Sequence, residues 1–310
     1  KNTCENNPLA DYFHKYFSDD LCGESSYECA EQHMCKTAAE ELLKKNNINP
    51  DVYIGGDLLN QIITTSFTAR QLDIPYWGIY SACSSFGEAI SIAALCVESG
   101  MNNALITASS HFSTAERQYR QPLELGNQRP AWAQWTVTGA GAALIMASLA
   151  AKGQSEDIDL NMNGIIIKGI TIGKVIDLGV TDTDNMSAAM APAAADCVVA
   201  HFEDNGIDET YYDFIITGDL TLYGSEILAS LLEKNDIHIK SKHLDCGALI
   251  YDTKNQHVYS GGSGCACFST VFSSYFYTLL KNKTFKRALC IPTGALLSTI
   301  SSQQGESIPG

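Results

Sequence analysis

Two stretches decide the fold: Asp51-Val-Tyr-Ile-Gly-Gly-Asp57-Leu58 in the first half and Tyr212-Asp-Phe-Ile-Ile-Thr-Gly-Asp219-Leu220 in the second. Each is a short apolar run that stops at Gly-Asp-Leu. Such a run reads as a strand ending in a polar turn. The surroundings repeat as well. A helical pattern from about Glu28 to Lys45 precedes the first stretch, and a small-residue helix from about Ser187 to Asp204 precedes the second. Tyr76-Trp-Gly-Ile-Tyr80 is a further strand, running through Ser81-Ala82-Cys83 into a helix that ends near Glu98. Gly262-Ser-Gly-Cys265-Ala-Cys267 opens a helix that ends near Lys281. Ala104 lies 21 positions after Cys83, and Ala288 lies 21 after Cys267, each in the strand that follows the helix.

Strands alternating with helices predict α/β layering. Thr138-Gly-Ala-Gly-Ala-Ala-Leu-Ile-Met146 adds a strand with glycines where backbones approach closely. Self-similarity on this scale predicts duplication of a whole layered unit. The expected architecture is a duplicated five-layer α-β-α-β-α sandwich with mixed sheets. Its halves are residues 1–150, carrying Cys83, and residues 151–310, with the polar stretch Ser148 to Asn163 as the joint. Cys83 and Cys267 then head the two central helices.

Composition sets limits on function. The 310 residues are 45% apolar, which excludes wholesale disorder. A formal charge of −15 argues against a nucleic-acid partner and against docking on anionic lipid by charge alone. No run of about 18 apolar residues is present, so no spanning helix is expected. The 11 cysteines are odd in number and include no C-x-x-C pair. That pattern points to a reducing compartment and gives no certain metal site.

Cys83 is the first candidate functional residue, because a thiol at a helix N-terminus gains nucleophilicity from the helix dipole. It also reads as a compact helix-start residue. Nucleophilic catalysis would need a base and an oxyanion hole. His111, just after a strand end, and His243, in Lys242-His-Leu-Asp-Cys-Gly247, are the imidazoles placed for it. The polar segment Ser109 to Arg120 carries Arg117 and Arg120, three apart and on one face if helical. They can clamp a carboxylate or form a solvated face. Asp57, Asn60 and Gln61 follow a strand end and can line the same cleft, and Asp219 is the duplicated counterpart of Asp57. Both acids also suit helix caps.

These residues resemble the thiolase-like superfamily and, within it, the stage V sporulation protein AD family. The resemblance rests on Gly56-Asp-Leu-Leu-Asn-Gln61, Ala82-Cys-Ser84, Ser109-Ser-His-Phe-Ser-Thr-Ala-Glu-Arg-Gln118, Val137-Thr-Gly-Ala-Gly141, Val175-Ile-Asp-Leu-Gly179 and Met190-Ala-Pro-Ala-Ala-Ala-Asp196. Asp245-Cys-Gly247, Gly261-Gly-Ser-Gly-Cys-Ala-Cys267 and Thr293-Gly-Ala-Leu-Leu-Ser298 add to it. It implies the five-layer fold and a homodimer. It implies binding of dipicolinic acid, as calcium dipicolinate, for uptake into the developing spore. The implied partners are membrane proteins of the same sporulation system. The implied location is the developing spore, as a soluble protein peripherally associated with the inner spore membrane. No cofactor is implied; calcium enters only as part of the ligand.

Cys83 falls on the superfamily's nucleophile position. The superfamily's condensing enzymes place a His after the strand that here ends Ile216-Thr-Gly-Asp-Leu220, and none stands there. The expectation is therefore an acyltransferase cleft turned to binding. The ligand's carboxylates would meet the helix start at Cys83 and Arg117 or Arg120. Asp57, Asp219 or Asp245 would complete the oxygen shell of its calcium. The alternative is an active acyltransferase using Cys83 with His243 or His111.

Overall fold

The computed structural model describes residues 7–119, 129–147 and 164–310. Helix α1, Tyr27–Asn46, starts where Ser26 accepts the Cys29 amide and stops at Asn47 in the left-handed conformation. It buries Ala30, Glu31, Met34, Cys35 and Ala39, a stripe at helical spacing. Strand β1, Val52–Asp57, is buried at every residue, as a central parallel strand must be. Then follow α2 (Ile63–Leu72), β2 (Tyr76–Gly78), α3 (Ser85–Glu98), β3 (Asn103–Ser110), α4 (Phe112–Tyr119), β4 (Gln134–Thr136) and β5 (Gly139–Met146).

The second half opens with α5, Met186–Asn205, capped by the Asn185 side chain on the Ala188 amide. It continues through β6 (Phe214–Thr217), α6 (Thr221–Glu233), β7 (His243–Asp245), α7 (Cys246–Ile250) and β8 (Gly261–Ser263). Helix α8 (Cys265–Val271) passes through a π-helical stretch at Phe272–Phe276 into α9 (Tyr277–Lys281). Strand β9 (Ala288–Ile291) and α10 (Thr299–Gln303) close the described chain.

The first sheet has the order β2-β1-β3-β5, with β5 antiparallel to β3 and the others parallel. The second has the order β7-β6-β9, all parallel. The shared order is the structural imprint of the duplication: β1, β2 and β3 correspond to β6, β7 and β9. Register agrees, since Val52 faces Ala104 and Phe214 faces Ala288. Asp57 and Asp219 each stand five residues beyond those paired positions.

Three apolar cores separate the layers. One, built on Ala39, Tyr53, Ala69 and Leu105, seals α1 and α2 onto the first sheet. The largest joins α3 and α8 to both sheets, with Phe86 and Phe268 at its centre and Ile54, Ile106 and Ile216 around them. The third seals α5 and α6 onto the second sheet through Met190, Val198, Ile215, Leu228 and Leu232. Helices, sheet, helices, sheet and helices thus stack in five layers. The close approach read from the glycines of β5 is real. A Cβ at Gly141 would come within 2.3 Å of the Ser269 carbonyl oxygen on α8. The polar joint from Ser148 to Asn163 lies outside the described residues.

Candidate functional site: a sulfur facing a buried acid

The two halves meet around Cys83. The chain leaves β2 and turns at Ala82, which holds φ +45°, a conformation that costs an L-residue energy. Cys83 follows in a short 3-10 turn (Ala82–Ser84) that runs into α3. From the other half, β8 pairs in parallel with β4, Thr136 facing Ser263, and delivers Ser263 beside the sulfur. Cys83 Sγ lies 3.8 Å from Ser263 Oγ. The Ser263 hydroxyl donates to Asp219 Oδ2 at 2.7 Å, and the Gly264 amide donates to the same oxygen at 3.1 Å. A serine hydroxyl has one proton, so with that proton on Asp219 the thiol is the donor toward Ser263. Gly264 holds φ +96°, which glycine adopts freely and which aims its amide at Asp219.

Burial raises the Asp219 carboxyl to about 7, against the bonds from Cys83, Ser263 and Gly264, which pull it down, and with the Asp245 charge adding to the rise. Its other oxygen, Oδ1, is buried without a hydrogen-bond partner among the described residues. The Cys83 thiol is pushed well above its ordinary value, first by burial and then by the Asp219 charge. The helix start does not win: desolvation and an adjacent acid both oppose the thiolate. A sulfur so placed is a neutral group at rest.

Neither expected imidazole stands against it. His111 Nε2 pairs with the Asp20 carbonyl oxygen at 2.8 Å, its Nδ1 accepts the Ser113 amide, and its ring packs on Tyr27. His243 Nε2 pairs with Thr217 Oγ1 at 2.8 Å on the neighbouring strand. Burial lowers the pKa of both, so each is held as a neutral, structural ring.

The three acids offered as alternatives for completing a calcium's oxygen shell have separate duties. Asp57 accepts the Leu59 amide and both the amide and hydroxyl of Thr65, organising the turn into α2. Asp245 accepts the Thr217 hydroxyl and the amides of Leu220, Thr221 and Ala248, which caps α7. Only Asp219 reaches the sulfur. Among the described residues no group of three or more His, Cys, Asp or Glu gathers as metal ligands.

Arg117 pairs with Glu28 on α1 and is more than half exposed, a surface ion pair. Arg120 lies outside the described residues. The Asn60 amide donates to Gln118 Oε1, and Gln61 is a strained turn residue at φ +62°. Sequence reasoning places Glu116 and Arg129 in the polar segment after β3 but does not pair them with each other, and it gives Ser263 no role. Arg129 Nη2 meets Glu116 Oε2 at 2.7 Å, and its guanidinium lies over Trp135, itself stacked on Phe112. A basic residue near two aromatics was the available signal.

Cys83 opens on a cavity of about 40 Å³ lined by Leu58, Tyr80, Glu116, Tyr119, Met186 and Ser263, among others. That is room for about three water molecules. At its rim the hydroxyls of Tyr80 and Tyr119 are hydrogen-bonded, and Tyr119 also donates to the Leu58 carbonyl.

Solved structures share this fold. A variant of Xanthomonas campestris OleA superposes with TM-score 0.62 at 15% identity, covering 94% of this chain and 86% of that one. Xanthomonas campestris OleA with bound lauric acid and lauroyl-CoA gives 0.58 at 14% identity, covering 90% and 81%. The 3-oxoacyl-[acyl-carrier-protein] synthase III of Aquifex aeolicus gives 0.52 at 16%, covering 90% and 82%. These place the chain in the thiolase-like fold of condensing enzymes. In sequence, the chain is 41% identical over 306 residues to stage V sporulation protein AD of Bacillus subtilis, covering 97% of this chain and 86% of the relative. The family described as stage V sporulation protein AD matches residues 2–310. Matched by the family model along almost its whole length and by a relative at this identity, the chain belongs to the stage V sporulation protein AD family.

Proposed function

We propose that this sporulation protein binds dipicolinate, carried with calcium, in the cleft beside Cys83, and that it serves uptake of that ligand into the developing spore without acyl transfer. The observation that carries the reading is a cavity at the nucleophile position where the sulfur faces Asp219 through Ser263 and no imidazole. Condensation needs a thiolate and an imidazole or equivalent base. Here burial and Asp219 oppose the thiolate, and both candidate rings are engaged elsewhere.

The walls suit a flat polar ring. Leu58, Tyr80, Tyr119, Met186 and Leu297 offer apolar faces; Ser263, Thr136 and Glu116 offer polar atoms. A pyridine dicarboxylate is larger than the closed cavity, so entry requires the Tyr80–Tyr119 pair to part. Calcium comes as part of the ligand. Membrane proteins of the same sporulation system are the proposed partners, reached from the inner spore membrane's surface. No helix among the described residues is long and apolar enough to cross a membrane. Pairing of two copies along the open edge of β5 is the proposed dimer.

Titration calorimetry with calcium and dipicolinate tests the reading. One-to-one saturable binding is expected, and loss of it in Ala295→Phe, which fills the cavity from its wall. No heat at millimolar ligand, or full affinity in that variant, overturns the site. Incubation with acyl-CoA followed by intact mass measurement is expected to leave Cys83 unmodified; an adduct with CoA release overturns the non-catalytic assignment.

A further inference from the structure

Two turns that the duplication makes equivalent carry different charge. In the first half the turn before β3 is clamped by Asp51. Its Oδ2 accepts the amides of Asn102 and Asn103, and the Asp51 amide donates to the Asn103 carbonyl. In the second half the turn before β9 is clamped the same way. Asp213 Oδ2 accepts the amides of Lys286 at 2.7 Å and Arg287 at 3.1 Å, and the Asp213 amide donates to the Arg287 carbonyl. This second clamp engages backbone groups of Lys286 and Arg287 and not their side chains. The fold therefore asks for no cation here, since Asn-Asn serves at the equivalent place. Lys281 and Lys283 stand just ahead of the pair, so Lys281–Arg287 holds four of the chain's 20 basic residues and no acid. All four are exposed, and none closes an ion pair with a carboxylate among the described residues. Arg287 lies over the ring of the exposed Tyr211, and the exposed Tyr277 stands one helical turn before Lys281 on α9. Lys242, just before β7, brings a fifth cation, its Nζ held on the Glu209 and Tyr212 carbonyls. Strands β7, β6 and β9 run parallel, so their starts share one edge of the second sheet.

Resting on the reading above that the protein works at a membrane surface, we propose that the Lys281–Arg287 loop docks it on a lipid surface bearing anionic headgroups. A local patch binds where the whole chain is repelled, because charges beyond about 10 Å are largely screened at moderate salt. The formal −15 belongs to the whole chain; the loop presents only cations. Ammonium and guanidinium groups meet headgroup phosphates, and Tyr211 and Tyr277 suit the headgroup level, where amphipathic rings are favoured. A nucleic acid fits less well. A duplex carries one charge per about 1.7 Å, so the acid excess repels it more strongly than a lipid surface, and tracking it takes cations spread along a face. Here they sit on one loop. The other end of β6 leads to Asp219 and the cleft, so docking at this edge leaves the cleft uncovered.

Co-sedimentation of the full chain with vesicles tests this. The wild type is expected to bind vesicles of mixed phosphatidylglycerol and phosphatidylcholine and to ignore pure phosphatidylcholine. It is expected to leave the anionic vesicles at about 1 M salt, where screening acts within about 3 Å. With Lys281→Gln, Lys283→Gln and Lys286→Gln combined, affinity for the anionic vesicles is expected to fall about fivefold per lysine, about a hundredfold in all. A control combining Lys44→Gln, Lys45→Gln and Arg70→Gln removes the same charge from α1 and α2 and is expected to lose less than about threefold. No binding of the wild type to anionic vesicles, or equal binding to pure phosphatidylcholine, overturns the docking. Undiminished binding of the lysine variant, or an equal loss in the control, overturns the assignment to this loop. Tighter binding to duplex DNA than to anionic vesicles, read by fluorescence anisotropy, overturns lipid as the occupant. Failure on vesicles leaves the cleft reading standing, because calorimetry with calcium and dipicolinate tests the cleft without lipid.

Discussion

Asp57 and Asp219 occupy matching places at the ends of the matching strands β1 and β6, yet they face opposite duties. Asp57 turns onto its own loop and accepts Leu59 and Thr65. Asp219 accepts Ser263 and Gly264 of its own half, beside Cys83 of the other. Duplication supplied two acids; the packing of the halves recruited one of them to the sulfur.

Asp219→Asn is expected to change stability in a pH-dependent way. The folded carboxyl lies at about 7 and its ordinary value is 3.8. The folded state therefore holds the proton more tightly, and wild-type stability falls as pH rises from about 4 to about 7. Above that the penalty is constant. Asn carries no charge, so the variant gains on the wild type across that window and by a steady margin above it. Chemical denaturation from pH 4 to 8.5 checks this. The same variant removes the charge that raises the Cys83 thiol, so alkylation by iodoacetamide, followed by mass, is expected to be several-fold faster.

Glu31 gives a second, separable signal. It is buried between α1 and the first sheet, bonded by Ser109 and Thr114. Burial, with the Asp57 charge added, raises it from 4.5 to about 8. Its penalty grows as pH rises through that window, later than that of Asp219. Glu31→Gln is expected to flatten the alkaline side of the stability profile up to about pH 8. A wild-type-like slope between pH 7 and 8 would contradict a protonated Glu31.

Gly141→Ala tests the contact between β5 and α8. The added Cβ would sit 2.3 Å from the Ser269 carbonyl oxygen, a backbone atom that cannot rotate away. Forcing the helix off the sheet is expected to cost about 3 kcal/mol. Urea denaturation measures it. A change below about 1 kcal/mol would mean the two layers yield more readily than their packing implies.

Tyr119→Phe removes a hydroxyl that bonds both Tyr80 and the Leu58 carbonyl at the cavity rim. A loss of about 1 kcal/mol in stability is expected. With the rim freed, association of calcium dipicolinate is expected to quicken, read by stopped-flow. Unchanged association would exclude this pair as the barrier to entry.

Much of the architecture is legible in the sequence. The helices read as Glu28 to Lys45 and Ser187 to Asp204 became Tyr27–Asn46 and Met186–Asn205. Long apolar stripes with polar caps define themselves locally. Strand β7 leaves no signal in the sequence, because three residues, His243–Asp245, are too few to show a period. The strand at Tyr76 proved shorter than its apolar run, since Tyr80 leaves β2 for the rim and pairs with Tyr119.

The order of strands and helices, the repeat of one half by the other, and the arrival of Cys83 at a helix start follow from residues near in sequence. Side-chain period and turn chemistry act over a few positions, so the chain itself carries them. The chemistry around the sulfur came from elsewhere. Ser263 is 180 positions from Cys83 and 44 from Asp219, and only the β4–β8 pairing and the stacked sheets set them together. The sign of the thiol's shift followed from burial and a neighbouring acid, both products of packing at long range.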